Sequence, residues 1–184
     1  MMEYRKPVFP ERHTAVVSGA GAPRGIARRT ARRLAEEGWD LVVVDLSDKV
    51  LEFGEELADE FPDRKSMALR LDISDEEQVK DAFARIEETM PPVVGLANIA
   101  GIACPVPLLE LDADLFDKVL AVNCRGIMLM MKYAAERMRK QGIGRIVNFS
   151  SITALDGGGT FSKFAYAAAK AGVLGITKGG AREL

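Results

Sequence analysis

The sequence predicts an α/β domain built on a doubly wound parallel sheet. Segments with strand character and segments with helix character alternate along the chain, and the strands are apolar at nearly every position rather than every second one. A strand apolar on both sides must be covered on both sides, which helices on the two faces of a parallel sheet provide. Right-handed crossovers then place ligands beyond the carboxyl ends of the strands.

The first strand is read at His13–Gly19, a short apolar run ending in glycine. A helix over Gly25–Glu37 follows, with Ile26, Ala27, Thr30, Ala31 and Leu34 on one face and Gly38 as its stop. Leu41–Val44 is the second strand, and a helix over about 49–61 ends at Pro62. Ser66–Leu71 is the third strand. Asp75–Met90 is helical, with Val79, Ala82, Phe83 and Ile86 in phase and Pro91-Pro92 closing it. Val93–Asn98 forms the fourth strand, about 112–141 one long helix, Arg145–Phe149 the fifth strand, and a last helix starts near Phe164. No repeat or linker interrupts this order, so residues 1–184 read as a single domain.

Composition narrows the function classes. Hydrophobic residues make up 48% and charged residues 28% of 184 positions, ordinary values for a globular chain. A net charge of -2 offers no overall positive field for nucleic acid or an anionic membrane. No apolar run approaches the roughly 20 residues that span a bilayer, and Met1–Pro7 lacks the apolar stretch of a secretory signal. The expectation is a cytoplasmic protein. Cys104 and Cys124 lack CxxC spacing and read as free thiols, and His13, the single histidine, reads as a surface residue rather than a ligand.

The first strand runs into Gly19-Ala-Gly21-Ala-Pro-Arg24-Gly25-Ile26-Ala27. Glycines there allow a tight turn and close approach to a pyrophosphate at a helix N-terminus. Asp45 ends the second strand 20 residues after Gly25 and can accept from ribose hydroxyls; its other reading is a turn or N-cap residue, with Ser47 and Asp48 nearby. Leu46, beside Asp45, joins this set. The carboxylate favours NAD, whereas Arg24 leaves NADP open because it can pair with a 2′-phosphate. Arg28, Arg29, Arg32 and Arg33 read as a solvated helix face, with Arg32 and Arg33 paired to Glu36 and Glu37.

Tyr166-Ala-Ala-Ala-Lys170 puts a phenol and an ammonium on one helical face. A phenol's ordinary pKa of about 10 is too high for efficient proton exchange near neutrality, and a neighbouring cation favours the phenolate. Ser150 and Ser151 end the fifth strand, where a hydroxyl can orient a substrate oxygen; otherwise they are turn serines.

With the glycine loop, Asp72-Ile73, Asn98-Ile-Ala100-Gly101, Asn123, Ser151 and Tyr166-xxx-Lys170 in this order, the chain from about Thr14 to Leu184 resembles the short-chain dehydrogenase/reductase family. The resemblance implies a Rossmann-like fold and an NAD(P)-dependent oxidoreductase that interconverts an alcohol and a ketone. Sugars, polyols, hydroxyacids and 3-oxoacyl thioesters are the substrate classes. It implies that Ser151 orients the substrate, that Tyr166 is the acid/base, and that Lys170 lowers the tyrosine pKa and binds ribose. Asn123 would hold a water that relays protons to Lys170; by itself it reads as a polar break in a helix, bonded to backbone. Gly19, Gly21, Arg24, Gly25, Ile26, Asp45, Leu46, Asp72, Ile73, Asn98, Ala100 and Gly101 would line the cofactor, with Asp72 and Ile73 flanking the adenine.

The glycine spacing departs from the usual pattern. Gly19 and Gly25 are two residues further apart than usual and Ala27 replaces the last glycine, a spacing somewhat like the enoyl-reductase branch. The YxxxK and its preceding serine fit the ordinary 3-oxoacyl-reductase-like branch. Ser151 and Tyr166 stand 15 apart, with Gly157-Gly158-Gly159 between them as a mobile substrate loop or a flexible tip. Relatives continue past this point into further strands and a substrate-covering helix, so the chain is expected to lack the family's last strands, leaving the fifth strand at a sheet edge. The competing function is a nucleotide-binding or dimerising fragment without turnover. The resemblance also implies a homo-oligomer pairing through about 112–141 and 164–184, with Met128–Met131 as interface or core.

Overall fold

In the computed structural model, which describes residues 8–184, the sheet has five parallel strands in the order β3-β2-β1-β4-β5. These are β1 (Thr14–Ser18), β2 (Asp40–Asp45), β3 (Ser66–Arg70), β4 (Val93–Asn98) and β5 (Arg145–Asn148). Helices α1 (Ile26–Glu36), α2 (Lys49–Glu60), α3 (Glu76–Thr89), α4 (Ala113–Leu120), α5 (Ile127–Gln141), α6 (Thr153–Asp156) and α7 (Phe164–Glu183) connect and follow them. The expected doubly wound architecture is therefore present.

The three central strands are apolar through their middles because both of their faces are packed. Val16, Val42, Val44 and Leu96 lie on one side with Phe83, Ile86, Ile127 and Met130 of α3 and α5. Ala15, Val17, Leu41 and Val43 lie on the other with Ala27, Ala31, Phe53 and Leu57 of α1 and α2. Register aligns these layers, since Val16 stands opposite Val42 on one neighbour and Leu96 on the other. A smaller cluster of Cys104, Val119, Ala165 and Ala169 seats α7 against the segment after β4. At the outer edges, β3 and β5 are only partly buried.

Helix ends follow local chemistry. Asp75 and Asp112 cap α3 and α4 by accepting from the backbone N–H of Gln78 and Leu115. Gly142, at φ +68, stops α5. Packing tightens where α2 crosses β3: a Cβ on Gly54 would lie 2.4 Å from the Ala68 Cβ. Gly54→Val is expected to destabilise the fold by about 1–3 kcal/mol, read as a lower urea midpoint with an unchanged m-value.

Three expectations need correction. The long helix over 112–141 is broken: a wide, π-type turn at Ala121–Gly126 separates α4 from α5. Arg28 is not part of a solvated face but is buried, 5% exposed. Arg32 pairs with Glu56 and Glu60 of α2 instead of Glu36, because α1 and α2 lie side by side; Arg33 does pair with Glu37. Both cysteines are free, and His13 packs between Phe9 and Trp39 while its Nδ1 bonds the Pro10 carbonyl. Leu129, Met130 and Met131 fill core, while Met128 is exposed.

Candidate active site

The sheet order reverses between β1 and β4, and a parallel sheet opens a crevice at the carboxyl end of such a switch point. Gly19 and Ala100 line it. Gly19 leaves β1 at φ +84 with its N–H bonded to the Val44 carbonyl at 2.9 Å. A Cβ there would lie 2.8 Å from both Cα and N of Ala100, so only glycine lets the two strand exits approach this closely. Ser18, which ends β1, ties them: its Oγ accepts from Ile99 N at 3.1 Å and Ala100 N at 3.2 Å.

Asp45 faces the same loop from β2. Its Oδ2 accepts from Gly21 N at 2.9 Å and its Oδ1 from Ser47 N at 2.8 Å. A Cβ on Gly21 would lie 2.6 Å from that carboxylate, which is why this position is glycine. Asp45 is thus both a turn former, the bland reading, and a loop contact 24 residues away. Gly25 caps α1 in extended conformation, and Ala22, Arg24, Ile26 and Leu46 are exposed around the loop. At the exit of β3, Asp72 accepts from the N–H and hydroxyl of Ser74, while Ile73 is buried against the Gly126 position of the wide turn.

Beyond β4, Asn98 donates to Asn148 Oδ1 at 2.9 Å and accepts the Phe149 N–H on its backbone carbonyl, so it braces β4 to β5. The wide turn carries Asn123, fully buried. Its Nδ2 donates to the carbonyls of Val119 and Ile102, both at 3.0 Å, the backbone bond expected of a polar residue inside a helix. Its Oδ1 has no partner. A Cβ on Gly101 would meet this oxygen at 2.5 Å and Lys170 Nζ at 3.4 Å, so the lone acceptor and the ammonium front onto the same glycine backbone.

Helix α7 carries Tyr166 and Lys170 one turn apart. Lys170 Nζ lies 5.6 Å from the Tyr166 ring centroid and donates to the Phe149 carbonyl at 2.7 Å. Burial pushes the Lys170 pKa below its ordinary value, because water no longer solvates the ammonium. Ser150 donates to the Lys170 carbonyl at 2.7 Å, pinning the end of β5 to α7. Ser151 sits in a turn, its Oγ accepting from Thr153 N and bonded to Thr153 Oγ1, which in turn contacts Ser162 Oγ at 3.2 Å. The spacing of motifs singles out neither Thr153 nor Ser162, which stand nine residues apart and meet only when the loop after β5 folds.

The structure gathers the glycine loop, Asp45, Asp72, Asn98, Ala100, Gly101, Asn123, Ser151, Tyr166 and Lys170 at the carboxyl end of the sheet. A family model described as enoyl-(acyl carrier protein) reductase matches residues 19–184. Levodione reductase of Leifsonia aquatica is 37% identical over 170 residues, covering 91% of this chain and 62% of that one. The chain belongs to the short-chain dehydrogenase/reductase family. An uncharacterised short-chain type dehydrogenase/reductase of Sinorhizobium fredii is 36% identical, covering 92% of this chain and 67% of that one. The crystal structure of levodione reductase superposes with a TM-score of 0.84 at 36% identity, covering 96% of this chain and 67% of that chain. This short-chain dehydrogenase/reductase chain therefore spans about two thirds of the length of these relatives. Among the described residues no helix is long and apolar enough to cross a membrane, and β5 forms one edge of the sheet.

Proposed function

We propose that this chain carries the nucleotide-binding and proton-handling machinery of an NAD(P)-dependent oxidoreductase that interconverts an alcohol and a ketone. The observation that carries the reading is the Tyr166–Lys170 pair on α7, with the ammonium held by Phe149 and the unpartnered Asn123 Oδ1 facing the same glycine. A dinucleotide fits these residues. Glycines at 19, 21 and 101 let the loop and strand exits pack directly on Ala100, Asp45 and Asn123, and a glycine turn of this kind ahead of a helix N-terminus suits a pyrophosphate. When bound, the nicotinamide accepts or supplies the hydride.

Tyr166 gives its proton to a ketone oxygen during reduction, or takes one from an alcohol during oxidation. Lys170 favours the phenolate and holds the ribose. Ser151, fixed by Thr153, donates to the substrate oxygen and orients it. Asn123 Oδ1 accepts from a water that passes protons to Lys170. A small-molecule substrate fits this chemistry, in a cytoplasmic homo-oligomer. The exposed Ile152, Leu155 and Phe161 in the loop ahead of Tyr166 suit a substrate with an apolar carbon skeleton.

Asp45 makes NAD the preferred cofactor. Its carboxylate is anchored to the loop, and a 2′-phosphate beside it meets a like charge. Arg24, exposed and without an ion-pair partner among the described residues, is the group that serves NADP if that preference is wrong. Fluorescence titration is expected to show NADH binding at least about tenfold tighter than NADPH, with Asp45→Ser narrowing the ratio. Equal affinities would overturn the preference. The same preparation, assayed with alcohol and ketone panels in both directions, tests the activity. Saturable NADH binding without any turnover supports the second reading, a nucleotide-binding or dimerising module.

A further inference from the structure

Arg28 lies behind the glycine loop, not in front of it. It sits on the first turn of α1, 5% exposed, with its guanidinium stacked 4.5 Å over the Phe53 ring. Its Nε donates to the Ala20 carbonyl at 3.0 Å, and its Nη2 to the carbonyls of Lys49 at 2.9 Å and Gly21 at 3.4 Å. Its Nη1 pairs with Glu56 at 3.2 Å, so the buried charge is balanced. One side chain thereby joins two consecutive loop peptides to the head of α2.

Peptide geometry gives this clamp a direction. In a trans peptide the C=O and the following N–H point opposite ways. With the Ala20 carbonyl turned to Arg28, the Gly21 N–H faces away and meets Asp45 Oδ2 at 2.9 Å. With the Gly21 carbonyl turned to Arg28, the Ala22 N–H points away as well, at the exposed tip of the loop. A backbone N–H set outward there is a donor for a phosphate oxygen.

We infer that Arg28 is a positioning residue for the cofactor pyrophosphate: by fixing the Ala20 and Gly21 carbonyls it aims the Ala22 N–H from behind without touching the ligand. This rests on the dinucleotide-binding reading above. The five-donor fork of arginine is what allows four acceptors to be held at once, which a lysine ammonium with its single centre does not.

Full-chain wild type, Arg28→Met and Arg28→Lys are titrated with NADH by fluorescence, and the NADH is displaced with ADP and, separately, with adenosine. Arg28→Met is expected to weaken NADH and ADP by about tenfold while adenosine, which lacks the phosphates, changes by less than about twofold. Arg28→Lys is expected to fall between, at about threefold for ADP. A parallel loss for adenosine, or ADP and NADH affinities equal to wild type, would overturn the inference and leave the dinucleotide reading standing. If wild type itself fails to bind NADH, the dinucleotide reading falls and takes this inference with it. Should Arg28→Met not fold, Arg28→Lys decides by the same ADP-to-adenosine comparison, and a wild-type ratio sinks the idea.

Discussion

Tyr166→Phe is expected to reduce turnover by about a thousandfold or more while NADH affinity stays within about twofold of wild type. The substitution removes one oxygen and keeps the ring, which packs against the cluster of Cys104, Val119, Ala165 and Ala169 that seats α7. Fold and cofactor loop therefore stay in place, and in the mechanism proposed above only the proton donor at the substrate oxygen is lost. A carbonyl oxygen that takes on charge as hydride arrives then has Ser151 alone to meet it. Steady-state rates at saturating NADH, in parallel with an NADH titration, measure the two quantities separately. Turnover equal to wild type would show that the proton comes from elsewhere and would sink the assignment. Equal loss of binding and turnover would point to a structural role for the phenol.

Gly19→Ala carries the second large effect, on stability and cofactor binding together. The residue sits at φ +84, where an L side chain costs on the order of 1–2 kcal/mol. The added Cβ also meets backbone, at 2.8 Å from Ala100 Cα and N, and backbone held by Ser18 cannot swing aside as a flexible side chain would. The exits of β1 and β4 must separate at the point where the sheet opens its crevice. The expected outcome is a loss of about 2–4 kcal/mol in urea unfolding and NADH binding weakened by more than about tenfold. Gly159→Ala serves as the control, since its Cβ would meet nothing within 4 Å and its φ is not positive; it is expected to change stability by less than about 0.5 kcal/mol. Comparable losses in both variants would show that the close approach at Ala100 does not set the cost.

Much of the fold is legible before any coordinates. Val16, Val17, Val42, Val43 and Val44 are consecutive apolar residues on neighbouring strands, and such runs persist only where both faces are buried, as they are here. The glycine loop, Asp45 and the Tyr166–Lys170 pair are legible for a related reason. The Tyr166–Lys170 spacing matches the helical period, and the glycine loop and Asp45 stand out because each closes an apolar strand run. Arg28 was illegible because its neighbours, Arg29, Arg32 and Arg33, make a basic helix face look uniform. Nothing in the local sequence says that one of the four turns inward to the carbonyls of Ala20, Gly21 and Lys49. The break at Ala121–Gly126 was hidden similarly, because apolar residues stay in helical phase on both sides of it.

The amino-acid order by itself determined the alternation of strands and helices, the glycine turn after the first strand and the placing of Tyr166 and Lys170 one turn apart on the last helix. These depend on contacts between residues a few positions apart, which propensity and periodicity record. Tertiary structure alone decided which buried groups are satisfied and which are left open. Asp45, Asn98, Asn123, Arg28 and Lys170 each hold at least one partner 21 to 50 positions away, brought near by crossovers whose packing no local pattern encodes. The unpaired Oδ1 of Asn123 is such a feature: an amide's identity is written in the sequence, but its isolation beside Gly101 and Lys170 exists only once the sheet has closed.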